Sequence, residues 1–150
     1  MQAIIILAGA AMTASGFMAW VTLPFAGSFV PVDALRDMLS PDAAWEIWAF
    51  ALSFVVAGLV VVLAVTGRPA ASGVAILAGA APFALLAWVY TQADQRLAEV
   101  NLQIPGVSLQ ETAQVWDAMG QYVQPGLWVY FGAAGLLILA GLFGRGRGAA

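Results

Sequence analysis

Four stretches of the chain, residues 1–32, 47–67, 69–93 and 118–144, contain no charged side chain. Each is long enough for a helix of about 20 apolar residues, which is the length that crosses a hydrocarbon core of about 30 Å. The pattern predicts membrane spans over 3–23, 45–66, 71–91 and 125–143. The polar positions fall between them, in two long connections over 24–44 and 92–124 and in a tight turn between the second and third spans. The first span runs on through Trp20 to Leu23 with no basic residue before it, which favours a retained span over a cleaved signal.

Both long connections carry helical signals. From Pro31, the residues Val32, Leu35 and Leu39 share one helical face while Asp33, Arg36 and Asp37 lie elsewhere, the pattern of a short helix resting on a membrane surface. Ser40, Pro41 and Asp42 supply a capping side chain, a first-turn proline and an acid at the positive end of the dipole, and so predict the start of the next helix ahead of Trp45. In the second connection Ser108-Leu-Gln-Glu111 is a capping box, opening a helix over 109–119 with Leu109, Ala113 and Trp116 on one face. Nothing in the pattern asks for a sheet. The expected fold is all-α: a single domain over 1–150, an integral membrane four-helix bundle with short amphipathic helices in its two outer loops.

Composition sharpens this picture. Of 150 residues, 63% are hydrophobic and 9% charged, against about 25% charged in an ordinary soluble domain. The five basic residues are all arginine, and they orient the spans. Arg68 lies in the turn between spans two and three, and Arg145 and Arg147 follow span four, so these ends are expected on the cytoplasmic side with both termini. Arg36 and Arg96 fall in the long connections, on the same side as all eight acids, leaving that side strongly negative. The expected location is a bacterial inner membrane, crossed four times.

The same outer side collects the aromatics: all six tryptophans, with Tyr90, Tyr122 and Tyr130, map to it. Aromatic belts ordinarily occupy both interfaces, and Trp and Tyr are favoured anchors of protein contacts. Trp45, Glu46, Trp48, Trp116 and Trp128 are therefore the candidate partner-binding residues. Small residues at four-residue intervals, Ala11, Ser15 and Ala19 in span one and Ala75 and Gly79 in span three, together with Gly132 in span four, are the candidate helix-packing positions. Pro82 lies inside span three and predicts a bend there.

Candidate chemistry is sparse. The chain has no cysteine and no histidine, which excludes disulfide relays, thiolate or imidazole metal sites and imidazole-ligated haem. No acid or base lies deep in a span, where ion and proton pathways place them. Small multidrug transporters need a glutamate in their first span, and here that span holds no acid, with Thr13 and Ser15 as the polar side chains in its interior. Glu46, between Trp45 and Trp48, is the best-placed ionisable group, and a first-turn glutamate also suits the helix dipole. No metal, cofactor or nucleic acid is expected.

Three features resemble a loose class of small four-span bacterial inner-membrane proteins: Gly16-Phe-Met-Ala-Trp20 running to Leu23-Pro24, the inner turn Thr66-Gly-Arg-Pro69, and a last helix opened by Pro125-Gly126 that carries Tyr130 and spaced glycines and ends in arginines. Claudin-like proteins share the four spans, but this chain lacks their first-loop cysteine pair. The leading expectation is a non-catalytic accessory or assembly subunit of a larger membrane complex. It would touch other membrane subunits and lipids, with a basic soluble partner conceivable on its negative face. The alternative is a small lipid-, quinone- or solute-handling membrane protein.

Overall fold

The computed structural model describes residues 1–101 and 120–145, with side chains described over 1–92 and 120–144. The described chain is mostly helical: α1 (Gln2–Ser15), a hairpin of β1 (Val21–Leu23) and β2 (Gly27–Phe29), α2 (Pro31–Met38), α3 (Trp45–Val65), α4 (Ala71–Asn101) and α5 (Pro125–Arg145). Three segments, Trp45–Val65, Ala71–Gln92 and Pro125–Gly144, are long and apolar enough to cross a membrane. The short helix expected over 109–119, and Trp116 on it, lie outside the described residues.

Helices α1, α3, α4 and α5 pack around one another, each of α1 and α4 lying against both α3 and α5. Their buried positions alternate spacings of three and four. The series are Ile5, Ala8, Met12 and Ser15; Ser53, Ala57, Val60 and Ala64; Ala71, Ala75, Ala78 and Pro82; and Tyr130, Ala133, Leu137 and Ala140. That alternation keeps one narrow seam of each helix facing its neighbours. Half of these positions are alanine, which lets the backbones approach closely. Where they come closest, side chains give out altogether: a Cβ on Gly9 would stand 2.8 Å from Val61 Cγ2, and one on Gly79 would collide with the Ala134 carbonyl.

The first expected span is shorter than the pattern implied. α1 stops at Ser15, and its 14 residues reach about 21 Å at 1.5 Å per residue. Four carbonyls beyond its last full turn need partners, and most find them locally. The N–H groups of Phe17 and Met18 donate to Ala14 and Ser15 (3.0 and 3.1 Å), the Trp20 indole donates to the Ser15 carbonyl at 2.9 Å, and Val32 N–H of α2 donates to the Gly16 carbonyl at 3.0 Å.

The chain then forms a strand pair, against the expectation that no sheet occurs. Val21 and Thr22 are β-branched and suit a strand. Pro24, Phe25 and Ala26 make a three-residue loop, closed by Ala26 N–H donating to the Leu23 carbonyl at 3.3 Å, and Gly27 follows at φ +80°. A turn followed by a left-handed glycine is a favoured hairpin connection. The far edge of β1 is also covered. Val21 bridges Val123, Thr22 N–H donates to the Tyr122 carbonyl at 2.9 Å, and Gln124 N–H donates to the Trp20 carbonyl at 2.8 Å. The hairpin thus continues the column that α1 begins, with its backbone groups paired on that side.

Two more local corrections have simple causes. Ser40-Pro41-Asp42-Ala43 closes as a turn, Ala43 N–H donating to the Ser40 carbonyl at 3.0 Å, and α3 begins only at Trp45. The residues read as a helix start therefore serve proline's equal preference for the second position of a turn. At the other end of α3, Gly67 at φ +67° allows Arg68 N–H to reach the Leu63 carbonyl and Gly67 N–H to reach Ala64, both at 3.0 Å. This paired closure satisfies orphan carbonyls and turns the chain towards α4. Helix α4 continues through the buried Pro82.

Candidate interaction surface at the tryptophan-rich end

The aromatic residues of one end divide into a buried group and an exposed group. Trp20, just past the end of α1, is 7% exposed and lies among Phe50 and Phe54 of α3 and Tyr130 of α5, with ring centroids 5.5, 6.2 and 4.7 Å away. Edge-on and tilted pairs of this kind are the preferred geometry of aromatic contacts. Gly126 makes room for the indole, because a Cβ there would lie 2.8 Å from Trp20 Cδ1. Two polar groups are locked into the same cluster. Ser53 Oγ lies 2.6 Å from the Phe50 carbonyl and 2.6 Å from the Tyr130 hydroxyl. The serine has one proton, so with Ser53 donating to Phe50 the tyrosine donates to Ser53. No buried polar side-chain atom among the described residues is left without a partner.

The exposed group lies on α3 and α4. Trp45 stands edge-on to Trp88, centroids 5.6 Å apart at 64°, and Trp88 Nε1 donates to Glu46 Oε1 at 3.4 Å. Trp48 is one turn further along α3, on the same side as Trp45. Trp45 is 54% exposed, and Trp48 and Trp88 are each 44% exposed. The three indoles and Glu46 thus form one patch, in which two indoles are pre-positioned against each other and one carboxylate is tethered. A partner would meet groups already held in place, which lowers the cost of ordering them.

Beside the patch, Ala34 and Met38 of α2, Ile47 and Phe50 of α3, and Leu85 and Val89 of α4 enclose an apolar cleft of about 270 Å³. Among the described residues, Glu46 is the only ionisable one that lines it. Past Pro82 the contacts of α4 are made by exposed aromatics, Phe83 against Phe131 of α5 and Trp88 against Trp45, and Phe83 through Thr91 are exposed except for half-buried Leu85. α2, which touches α3 only lightly, covers the gap without filling it.

The remaining expected site residues are dispersed. Trp128, 70% exposed, sits on α5, diagonal to α3 across the helices, and does not join the Trp45 patch. Ser15 and Ala75 are buried, Gly79 is buried against α5, and Ala11 is half-buried beside a groove between α1 and α5. Ala19 lies past the end of α1, so the four-residue stripe of span one is broken by the turn. Gly132 is exposed, with nothing within 4 Å of where its Cβ would be. The close glycine of α5 is instead Gly141, whose Cβ would lie 2.6 Å from Ile76 Cγ1 and 2.7 Å from the Ser72 carbonyl. Trp88 was absent from the expected set. Its spacing from Glu46 gives no local signal, because the two meet only when α3 and α4 pack antiparallel.

No family model matches the sequence, and neither a curated protein nor a solved structure matches it.

Proposed function

We propose that this protein is a non-catalytic accessory or assembly subunit of a larger bacterial inner-membrane complex. In this reading α1 with its hairpin, α3, α4 and α5 make four crossings with both termini cytoplasmic, following the arginine distribution. The tryptophan-rich end faces outwards and touches the partner. The observation that carries the reading is the tethered Trp45–Trp88–Glu46 group, which is exposed although the same end buries Trp20 and Tyr130 completely enough to show that it has room for aromatics inside. Indoles held in place yet left accessible are the side chains on which interfaces concentrate their energy.

The test is gentle solubilisation of the tagged protein from its own membranes, followed by native electrophoresis and mass spectrometry of its companions. The wild type is expected in an assembly far larger than the chain, and the double substitution Trp45→Ala/Trp48→Ala is expected to release it, since central interface indoles are worth about 2 kcal/mol or more each. Companions that persist at wild-type yield in the double variant would refute this surface as the contact.

A second reading rests on the apolar cleft under α2. A lipid-, quinone- or solute-handling protein needs a site lined by apolar side chains with few polar groups, and this cleft has that character, though it is small for the task. Purification as a lone chain with a stoichiometric organic mass bound, lost on Ala34→Phe, would favour this reading over the first.

A further inference from the structure

The opposite end of the molecule, where α3 turns into α4, has a cavity of different character. It has a volume of about 390 Å³ and is formed where the start of α1, the α3–α4 turn and the end of α5 converge. Its lining combines apolar groups from Ile5, Ala64 and Pro69 with polar ones from Gln2, Arg68 and Ser72. Arg68 is the only charged side chain among these six, and it stands where the paired closure of α3 at Gly67 puts it. Gln2 is held in place by donating to the Ala64 carbonyl. Gly144 lines the far side, and a Cβ there would lie 2.7 Å from Ser72 Oγ, so the absence of a side chain keeps the cavity open beside the serine.

Charge segregation supplies the electrostatic half of the argument. Asp33, Asp37, Asp42 and Glu46 all belong to elements at the tryptophan-rich end, whereas Arg68 and the α5 terminus at Arg145 mark this one, with Arg147 two residues further along the chain. A cavity whose lining includes an arginine and a serine together with apolar side chains is complementary to a phosphate joined to a hydrocarbon body. We propose that this cavity binds the phosphate head of an anionic phospholipid, with Arg68 pairing the phosphate, Ser72 donating to it, and Ile5 and Ala64 meeting the glycerol and upper acyl chains. The site is at the other end of the molecule from the partner surface and stands whether or not that surface is used.

The test is native mass spectrometry of the whole chain in detergent with equal amounts of phosphatidylglycerol and phosphatidylcholine. One phosphatidylglycerol is expected to be retained in preference by about fivefold, the factor that matches about 1 kcal/mol for one arginine at a lipid surface. Arg68→Gln removes an exposed charge without touching the seams, and it is expected to abolish the preference. Arg36→Gln, at the other end, is expected to leave it intact. Gly144→Leu, which fills the cavity, is expected to lower retention of both lipids, with circular dichroism confirming the helices. Equal retention of the two lipids by the wild type, or an undiminished preference in Arg68→Gln, would overturn the proposal. So would displacement of the bound lipid by millimolar inorganic phosphate, which would assign the cavity to the free anion instead.

Discussion

The two ends of the helical bundle are built from opposite materials. Towards Arg68, helices meet through Ala64, Ala71, Ala75, Ala140 and Gly141, and contact is backbone against backbone. Towards Trp45, they meet through Trp20, Phe50, Phe54 and Tyr130, α1 gives way to the hairpin, and α4 is mostly exposed after Pro82. Small residues give close, low-relief contact. Aromatic residues hold helices further apart and leave clefts between them. The difference explains why both the exposed indole patch and the apolar cleft occur at the aromatic end. An end packed by alanine has little spare volume within its seam, and the cavity at that end opens where the seam meets the α3–α4 turn.

If the aromatic end depends on one keystone, Trp20 is that residue, because it fills the space above the truncated α1 and touches both α3 and α5. Trp20→Ala removes those contacts and the indole hydrogen bond to the Ser15 carbonyl. The expected cost is towards the lower end of the about 3–5 kcal/mol seen for such truncations in water-soluble cores, since lipid competes less than water for a polar group but equally well for an apolar one. Thermal unfolding in detergent, followed by circular dichroism, measures it. A cost under about 1 kcal/mol would mean that the hairpin holds itself in place without the indole.

The alanine end is tested by one substitution made at two glycines. Gly79→Ala puts a methyl group against the Ala134 carbonyl and 2.8 Å from Ile138 Cγ1. Backbone cannot rotate away as a side chain can, so α4 and α5 must separate, at about 1–3 kcal/mol. Gly132→Ala meets nothing within 4 Å and gains helix propensity instead, up to about 1 kcal/mol. Opposite signs for the same chemical change, read from thermal midpoints in the same detergent, are the expected result. Equal effects would show that the α4–α5 seam is looser than the distances imply.

This contrast also separates what the sequence could tell from what it could not. Three long helices are legible because twenty uncharged residues in a row leave few alternatives. The turn at Gly67-Arg68 is legible from its glycine and proline. Which face of each helix is buried is not, because in these segments the exposed face is as apolar as the seam. Size distinguishes many of them, Ala57, Ala64, Ala75 and Ala134 being inside and Leu59, Val62, Leu77 and Leu136 outside, but Val60 and Leu137 are buried too. Counting every fourth residue found Ala75 and Gly79 but missed the alternation of three and four, and with it Gly141. The hairpin did leave a signal. Val21-Thr-Leu, then Pro24-Phe-Ala-Gly27, then Ser-Phe-Val30 is a strand, a turn with proline and glycine in suitable places, and a strand. It was masked by the uncharged run that contains it. Of the surface patch, Trp45, Glu46 and Trp48 were legible as neighbours in sequence. Trp88 was not, because the residue that tethers Glu46 comes from 42 positions away.

The smallest expected effect concerns the buried hydrogen bond that crosses the helices at the aromatic end. Ser53 and Tyr130 lie 77 residues apart and face each other on the diagonal pair α3 and α5. Tyr130→Phe removes the donor and leaves Ser53 still bonded to the Phe50 carbonyl, so no group is stranded. The expected loss is about 0.6 kcal/mol, the average for such bonds between membrane helices. Ser53→Ala removes the acceptor and leaves the buried tyrosine hydroxyl with no partner in its aromatic surroundings, which costs about 1–3 kcal/mol. The double variant should return close to Tyr130→Phe alone, since without the hydroxyl the serine's only remaining bond is a local one. That asymmetry is the signature of a directed bond, with tyrosine donating and serine relaying to the backbone. Equal costs for the two single changes would mean that the tyrosine hydroxyl finds another acceptor once Ser53 is gone.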